Sequence, residues 1–156
     1  MAFFPNLDEI DNQILAILTE DARISFAELG RRVNLSRVAA RERVQSLVER
    51  GVIEKFSVVV DPRKVGYHIS ALIELEVEPY SLATITEKII NEEPVFRVHE
   101  VSGSSKLHIH ALFEDIDHLH RFMAANIYSL RGVVKVKCEI LLRSLKVRYA
   151  GIKITG

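Results

Sequence analysis

The sequence has one cysteine, no tryptophan and only four prolines and seven glycines among its 156 residues. A single cysteine excludes an internal disulfide and is typical of a reducing compartment. The sequence has no apolar run of about 18 residues and no N-terminal export signal, so it predicts neither a membrane span nor secretion. It also has no excess charge, because 21 basic residues balance 21 acidic ones. Any affinity for a polyanion must therefore come from a local patch.

The remaining composition predicts a cytoplasmic, globular chain of one full domain or two small ones. Hydrophobic residues make up 48% of the sequence, which is enough to build cores and excludes disorder.

The stretch from Ile24 to Ile53 predicts two short helices joined by a tight turn. Ser25 and Ser36 are good N-caps, and Asn34 and Gly51 can adopt the left-handed conformation that ends a helix. Glu28 follows Ser25 at the spacing of a capping box. Apolar residues at helical spacing predict the buried sides, which comprise Ala27, Leu29 and Val33 in the first helix and Ala40, Val44, Leu47 and Val48 in the second. Such a pair has the geometry of a helix-turn-helix.

Arginines dominate the exposed positions of this stretch. Six arginines from Arg31 to Arg50 face only Glu42 and Glu49, a local balance of 6 − 2 = +4. Arg37 and Arg41 lie near the start of the second helix, where a recognition helix bonds guanine edges in the major groove. The alternative is a solvated helix face on which the arginines pair with the two glutamates. We favour DNA binding, and the residues expected at DNA are Ser25, Arg31, Arg32, Ser36, Arg37, Val38, Arg41 and Arg43, with Arg50 also placed to meet phosphates.

This half of the chain resembles the N-terminal module of the Lrp/AsnC (feast/famine) transcription regulators. The family patterns L-D-x-x-D-x-x-I-L, L-S-x-x-x-V-x-x-R-V-x-x-L-x-x-x-G-V-I and D-P-x-x-x-G appear here at Leu7, Asp8, Asp11, Ile14 and Leu15, then at Leu35, Ser36, Arg43, Val44, Leu47, Gly51, Val52 and Ile53, and finally at Asp61, Pro62 and Gly66. Ala40 replaces a usual valine, and Arg37 stands where the family often has proline. The resemblance implies a DNA-binding regulator of transcription.

The second half alternates apolar strand patterns with helical ones. A strand is expected at Glu54–Val60, within a linker that ends at Gly66. Beyond it we predict strands at 68–78, 95–102, 106–113 and 133–146, with helices capped at Ser81 and at Asp115 or Asp117. This βαββαβ order predicts a ferredoxin-like domain. The fold class is therefore α+β, with a three-helix, winged-type helix-turn-helix at 1–55, a linker at 56–66 and a ferredoxin-like domain at 67–156.

The two helices of such a domain cover only one face of its sheet. The first and third strands are apolar on both sides over part of their length, so the open face predicts a second copy of the chain. A homodimer would place two recognition helices roughly 34 Å apart on a pseudo-palindromic double-stranded site. The resemblance implies the same module for oligomerisation, with dimers joining into tetramers or octamers.

The resemblance also implies a small effector, usually an amino acid, bound between dimers near the turn before the third strand. The family turn G-D-Y-D reads Gly103, Ser104, Ser105 and Lys106 here, and a usual threonine is Cys138. Both acids are lost and a cation is gained, which favours a carboxylate or another anion over an ammonium. We expect the ligand at these five residues, or an exposed turn with a solvated lysine. We expect no cofactor.

Two other functions stay open. His108 and His110 share one strand face, and a two-residue turn would bring His99 to it, whereas a three-residue turn would move His99 away. Three imidazoles could bind zinc, copper or nickel and make a metal-responsive regulator, although packing histidines are the commoner case. Siroheme decarboxylases resemble this family in fold, but the sequence has no paired acids, nucleophile with its base or phosphate loop, so we expect no enzyme.

Overall fold

The computed structural model describes residue 4, residues 6–103, residues 105–143 and residue 145. Its helices and strands, in chain order, are α1 (Glu9–Glu20), α2 (Phe26–Arg32), α3 (Arg37–Glu49), β1 (Ile69–Val77), α4 (Leu82–Ile90), β2 (Val95–Val101), β3 (Lys106–Phe113), α5 (Ile116–Phe122) and β4 (Val133–Ile140). The chain divides into two compact units between Val59 and Val60.

The N-terminal unit is a three-helix cluster around one small core. Ile14 of α1 is fully buried against Leu29 of α2 and Leu47 of α3. Asp8 caps α1 by accepting a hydrogen bond from the Asp11 N–H at 2.7 Å. The side chain of Asn12, nearly buried, bonds the backbone of Phe4 in both directions and so fixes the chain that leads into α1. The predicted helices are confirmed, but Ala27 and Val48, which were expected to be buried, are exposed.

The C-terminal unit is a four-stranded antiparallel sheet in the order β2-β3-β1-β4, with its helices on one face. This is the predicted ferredoxin-like arrangement. The core lies between that face and α4 and α5, where the side chains of Ile73, Ile109, Phe113 and Ile127 are fully buried.

Three details of this unit differ from the sequence predictions. Ser81 forms no side-chain cap, because a 3-10 turn at Pro79–Ser81 runs directly into α4. Helix α5 continues as a π-helical turn at Met123–Ile127. The last strand ends at Ile140, and residues 144 and 146 of the predicted strand lie outside the described residues.

The predicted strand at residues 54–60 is wrong for the chain as described, since no part of that segment is assigned to a strand. Its apolar side chains are exposed instead, with Phe56 at 53%, Val58 at 83% and Val59 at 58%. The expected winged form of the helix-turn-helix therefore has no strand here. The residues alternate in the manner of a strand, but a strand also needs a neighbouring strand to bond, and none lies here among the described residues.

Candidate nucleic-acid interface

The turn between α2 and α3 is built from capping and close packing. The Ser25 hydroxyl caps α2 by accepting from the Glu28 N–H at 3.2 Å, and the Ser36 hydroxyl caps α3 by accepting from the Ala39 N–H at 3.1 Å. Asn34 adopts the left-handed conformation with φ 56°, as its sequence position predicts. The two caps and Asn34 fix where α2 ends and where α3 begins.

Gly30 brings the two helices close enough to form this turn. A Cβ atom at residue 30 would lie 2.6 Å from the Leu35 carbonyl oxygen, closer than side-chain carbons approach backbone. The Leu35 N–H donates to the Gly30 carbonyl at 2.8 Å. Glycine is therefore required here for contact rather than for an unusual φ. The sequence alone does not indicate this role, because Gly30 lies inside a helical pattern.

Four of the six arginines form ion pairs with carboxylates of the same chain. Arg31 and Arg32 both pair with Glu28, one turn before them on α2, and the Arg32 Nε–Glu28 Oε1 distance is 3.0 Å. The two guanidinium groups lower the pKa of Glu28, with the hydrogen bond from Arg32 as the largest cause. Only one half of the predicted capping box forms. Ser25 accepts a hydrogen bond from the Glu28 N–H, whereas the Glu28 carboxylate pairs with the two arginines.

Arg43 and Arg50 join α3 to α1. Asp11 is only 3% exposed, and its two oxygens lie 3.2 Å from Arg43 Nη1 and 3.3 Å from Arg50 Nη1. Arg43 also pairs with Asp8. The pKa of Asp8 lies below its usual value because of the Asp11 N–H bond first and Arg43 second, and the Asp8 bond raises the pKa of Arg43. Arg43 was expected to brace the DNA backbone, and here it also braces the helical unit.

Arg37 and Arg41 differ from the other four arginines. Both are exposed at the start of α3, and within the described part of the chain neither forms an ion pair. Val38 lies between them with 64% of its surface exposed. The alternative interpretation, in which the arginines pair with Glu42 and Glu49, finds no such pair among the described residues. The positive charge that remains available is thus concentrated at the N-terminal end of α3.

The described candidate effector residues fall in two places, with Gly103, Ser105 and Lys106 at the turn before β3 and Cys138 in β4. Four residues, 102–105, separate the paired residues Val101 and Lys106, and Gly103 turns the chain with φ 109°. Ser104 lies outside the described residues. Lys106 pairs across the sheet with Glu76, their charged atoms 3.7 Å apart.

Cys138 lies on the other side of the sheet. It is the partner of Ile73, a residue of the helix-covered face, whereas Lys106 and Glu76 belong to the open face. Burial and the nearby Glu139 raise the pKa of the Cys138 thiol. A ligand touching both Lys106 and Cys138 would have to involve more than one copy of the chain.

The histidines do share one face. His99 is the direct partner of His108 across β2 and β3, and the rings of His99 and His110 lie 6.4 Å apart, edge to face. A turn with an even number of residues between the paired strands, such as 102–105, places these histidines on the same face. No group of three or more potential ligands among the described residues is arranged to hold a metal ion. The His110 ring lies against the His99 ring and also against Phe96, with the centroids of His110 and Phe96 6.0 Å apart.

Comparisons with known proteins agree on one family. Residues 7–48 match the model of the AsnC-type helix-turn-helix domain, and residues 70–150 match the Lrp/AsnC ligand binding domain. An uncharacterised HTH-type transcriptional regulator of Pyrococcus horikoshii is 34% identical, the match covering 94% of this chain and 92% of that protein. LrpA of the same organism is 32% identical over 90% of this chain and 99% of its own length.

Solved structures show the same fold. A transcriptional regulator of Neisseria meningitidis in complex with L-Met superposes with a TM-score of 0.87 at 21% identity, covering 94% of this chain and 97% of that one. AsnC of Escherichia coli gives a TM-score of 0.84 at 22% identity, covering 91% and 96%. Within the described part of the chain, no helix is both long and apolar enough to cross a membrane.

Proposed function

The chain belongs to the Lrp/AsnC family of transcriptional regulators, and we propose that it binds a pseudo-palindromic DNA site as a homodimer, reading bases through Arg37, Val38 and Arg41. Membership implies DNA binding and self-association, and the curated relatives are named as transcriptional regulators. Beyond family membership, the proposal names the residues that read the DNA site and the surfaces through which two copies of the chain associate. It places the protein in the cytoplasm with the DNA and gives it no catalytic role.

The observation that carries the proposal is the division of the arginines. Carboxylates of the chain itself hold Arg31, Arg32, Arg43 and Arg50. Arg37 and Arg41 are exposed and free of such partners within the described residues, at the end of α3 that enters a major groove. An arginine there can bond guanine O6 and N7 together, and an exposed valine can contact a thymine methyl group.

Phosphate contacts would come from the flanks of this surface. Arg31 and Arg32 remain more than half exposed although they pair with Glu28. Each serine cap uses its oxygen as an acceptor, so the hydroxyl hydrogens of Ser25 and Ser36 can still be donated to phosphate oxygens. These contacts would orient the helix without reading sequence.

Two surfaces support a dimer. The segment at residues 54–60 presents Phe56, Val58 and Val59 in a chain without strand partners among the described residues. The open face of the sheet is half-buried and only partly apolar, with Leu72 and Leu112 among charged and histidine side chains. A second copy can bond the first surface as a strand and cover the second.

We also propose an acidic or zwitterionic effector near the turn from Gly103 to Lys106. The Neisseria meningitidis neighbour is described as an L-Met complex, which supports an amino acid as the ligand class. Lys106 supplies a cation in place of the lost acids, and the exposed Lys88 and Arg131 line a depression at the same end of the sheet. Val77 and Glu78 connect the two places, since their N–H groups donate to Ser105 and Gly132 respectively.

Selection of sites from a randomised double-stranded DNA pool tests the DNA proposal. The expected product is a pseudo-palindrome whose half-sites lie about one helical turn apart, bound by two copies of the chain. Enrichment of a single, non-repeated site by one copy would contradict the dimer. For the effector, calorimetry with an amino-acid panel should detect binding that Lys106→Gln weakens and that Lys64→Gln, at an exposed lysine outside both proposed surfaces, leaves unchanged. No heat with any amino acid would contradict this ligand class.

A further inference from the structure

The exposed ridge of α3 carries more than arginines. Val38, Glu42, Gln45 and Glu49 recur at intervals of four, three and four residues, so they form one stripe on the side opposite Ala40, Val44 and Leu47. Together with Arg41 and Ser46 they line a shallow depression. Most of this ridge is polar, and two of its members are acids on a surface that would face a polyanion.

The length of this stripe matches a short run of base pairs. Helical rise places Gln45 about 10 Å along the axis from Val38, or roughly three base-pair steps. Glu42 lies between them on the same stripe. A helix that enters the major groove with Arg37 and Val38 would therefore present these two side chains to the next base edges.

The Gln45 amide is oriented by one hydrogen bond within its own helix. Its Nε2 donates to Glu49 Oε1 at 3.0 Å, one turn along the helix. The second Nε2 hydrogen and the amide oxygen have no hydrogen-bond partner within the described part of the chain. One free donor beside one free acceptor is the pattern that matches N7 and the N6 amino group of adenine. Fixing the amide beforehand lowers the entropy lost on binding.

Glu42 is exposed, and no described residue forms an ion pair with it. Its carboxylate repels phosphates and can only accept hydrogen bonds, and the base edge that offers a donor alone is the N4 amino group of cytosine. Such a residue weakens binding to most DNA sequences, but not to a sequence that places a cytosine amino group opposite it.

We propose that Gln45, positioned by Glu49, reads an adenine and that Glu42 reads a cytosine in each half-site, which makes them specificity-determining residues. This inference rests on the proposed function, because α3 must enter a major groove for either side chain to meet a base. The Gln45–Glu49 hydrogen bond is its main support. Glu49 is a positioning residue that acts through Gln45.

Site selection with variant proteins tests the inference. Gln45→Ala should lose the adenine preference at one position of each half-site, and its affinity for the wild-type site should fall about five- to 150-fold. Affinity for a scrambled duplex should stay unchanged. Glu42→Gln should lose a cytosine preference at a different position and bind the scrambled duplex more tightly. Both changes are at exposed positions and introduce good helix formers, so melting curves should match the wild type.

The chain provides a matched control and a rescue. Gln13 of α1 donates to Glu9 one turn away, the same kind of exposed pair, and Gln13→Ala should leave every preference intact. Glu49→Ala should weaken the adenine preference, and Glu49→Gln, which keeps an acceptor, should restore it. Retention of all wild-type preferences by Gln45→Ala and Glu42→Gln would overturn the inference alone. A wild-type pool with no enriched sequence would overturn the proposed function itself.

Discussion

Asp11 is a buried acid that joins α1 to α3 in the helical unit. It is nearly buried, and two guanidinium groups from α3 converge on its carboxylate. Desolvating a carboxylate is costly unless charge-assisted hydrogen bonds compensate, and here Arg43 and Arg50 supply them. The pairs join residues 32 and 39 positions apart.

Removing that carboxylate should loosen the attachment of α1 to α3. We expect Asp11→Ala to lower the free energy of unfolding by about 1–3 kcal/mol, because two partly exposed arginines lose their common acceptor. Chemical denaturation measures the change. Glu9→Ala, a neighbouring acid whose only described side-chain bond is to Gln13, is the control and should change stability by less than about 0.5 kcal/mol. Equal effects for the two variants would mean that the Asp11 network contributes nothing.

Contacts between near neighbours in the chain were predictable from the sequence, and contacts between distant residues were not. The caps at Ser25 and Ser36 and the turn at Asn34 were predicted, because each depends on neighbours within four residues. The attachment of Arg43 to Asp8 and Asp11 was not, because a local charge balance cannot show a partner more than 30 residues away. The roles assigned to Arg31, Arg32 and Arg43 at DNA remain predictions.

At the scale of elements, the helix pair depends on the close approach at Gly30. We expect Gly30→Ala to destabilise the N-terminal unit by about 1–3 kcal/mol, because its Cβ would push against the rigid Leu35 carbonyl. DNA affinity should fall with it, since the turn places the start of α3. Anisotropy with a labelled site and denaturation curves measure both quantities.

Gly51 is the comparison for this change. It has a positive φ of 69° but open space around its Cβ position, so Gly51→Ala should cost only about 1 kcal/mol and should leave DNA binding intact. If Gly30→Ala were as mild as Gly51→Ala and kept full affinity, the packing of α2 against α3 would not depend on Gly30.

Element boundaries were predictable where the chain satisfies its own hydrogen bonds. The third strand was predicted at its observed limits, since β3 is central and its apolar positions alternate cleanly. The segment at residues 54–60 has the same alternation, yet the described chain forms no strand there. The difference is the absence of a neighbouring strand, which a hydropathy pattern does not encode.

At the scale of the whole molecule, three histidines, His99, His108 and His110, lie together on the open face of the sheet. The pKa of His110 is lowered because the ring is partly desolvated and lies near Arg97, His99 and His108. Glu74 is the cross-strand neighbour of His108, and Leu72 that of His110. Below the usual value of 6.5 the unfolded chain binds a proton that the folded chain resists. The contribution of His110 to stability is therefore full above pH 6.5 and is lost as the pH falls through the lower folded pKa.

We expect self-association to weaken in the same direction. A second copy covering this face would double the number of imidazoles and desolvate them further. Sedimentation velocity from about pH 8 to about pH 5.5 should show dissociation on acidification, and His110→Asn should reduce it. His68→Asn, outside the cluster, should behave as the wild type. A dimer fraction that does not change over this pH range would contradict the proposal that this sheet face is covered by a second copy.

The most direct test of DNA reading by α3 is competition binding of Arg37→Ala and Arg41→Ala at constant salt, with the selected site and a scrambled duplex as competitors. Arg121→Ala, an exposed arginine of α5, is the control. The expected result is a loss of about 1–3 kcal/mol in specific binding for each α3 variant and a smaller loss with the scrambled duplex, so that discrimination falls. Unchanged discrimination in both variants, with the control also unchanged, would show that these two arginines do not read the site.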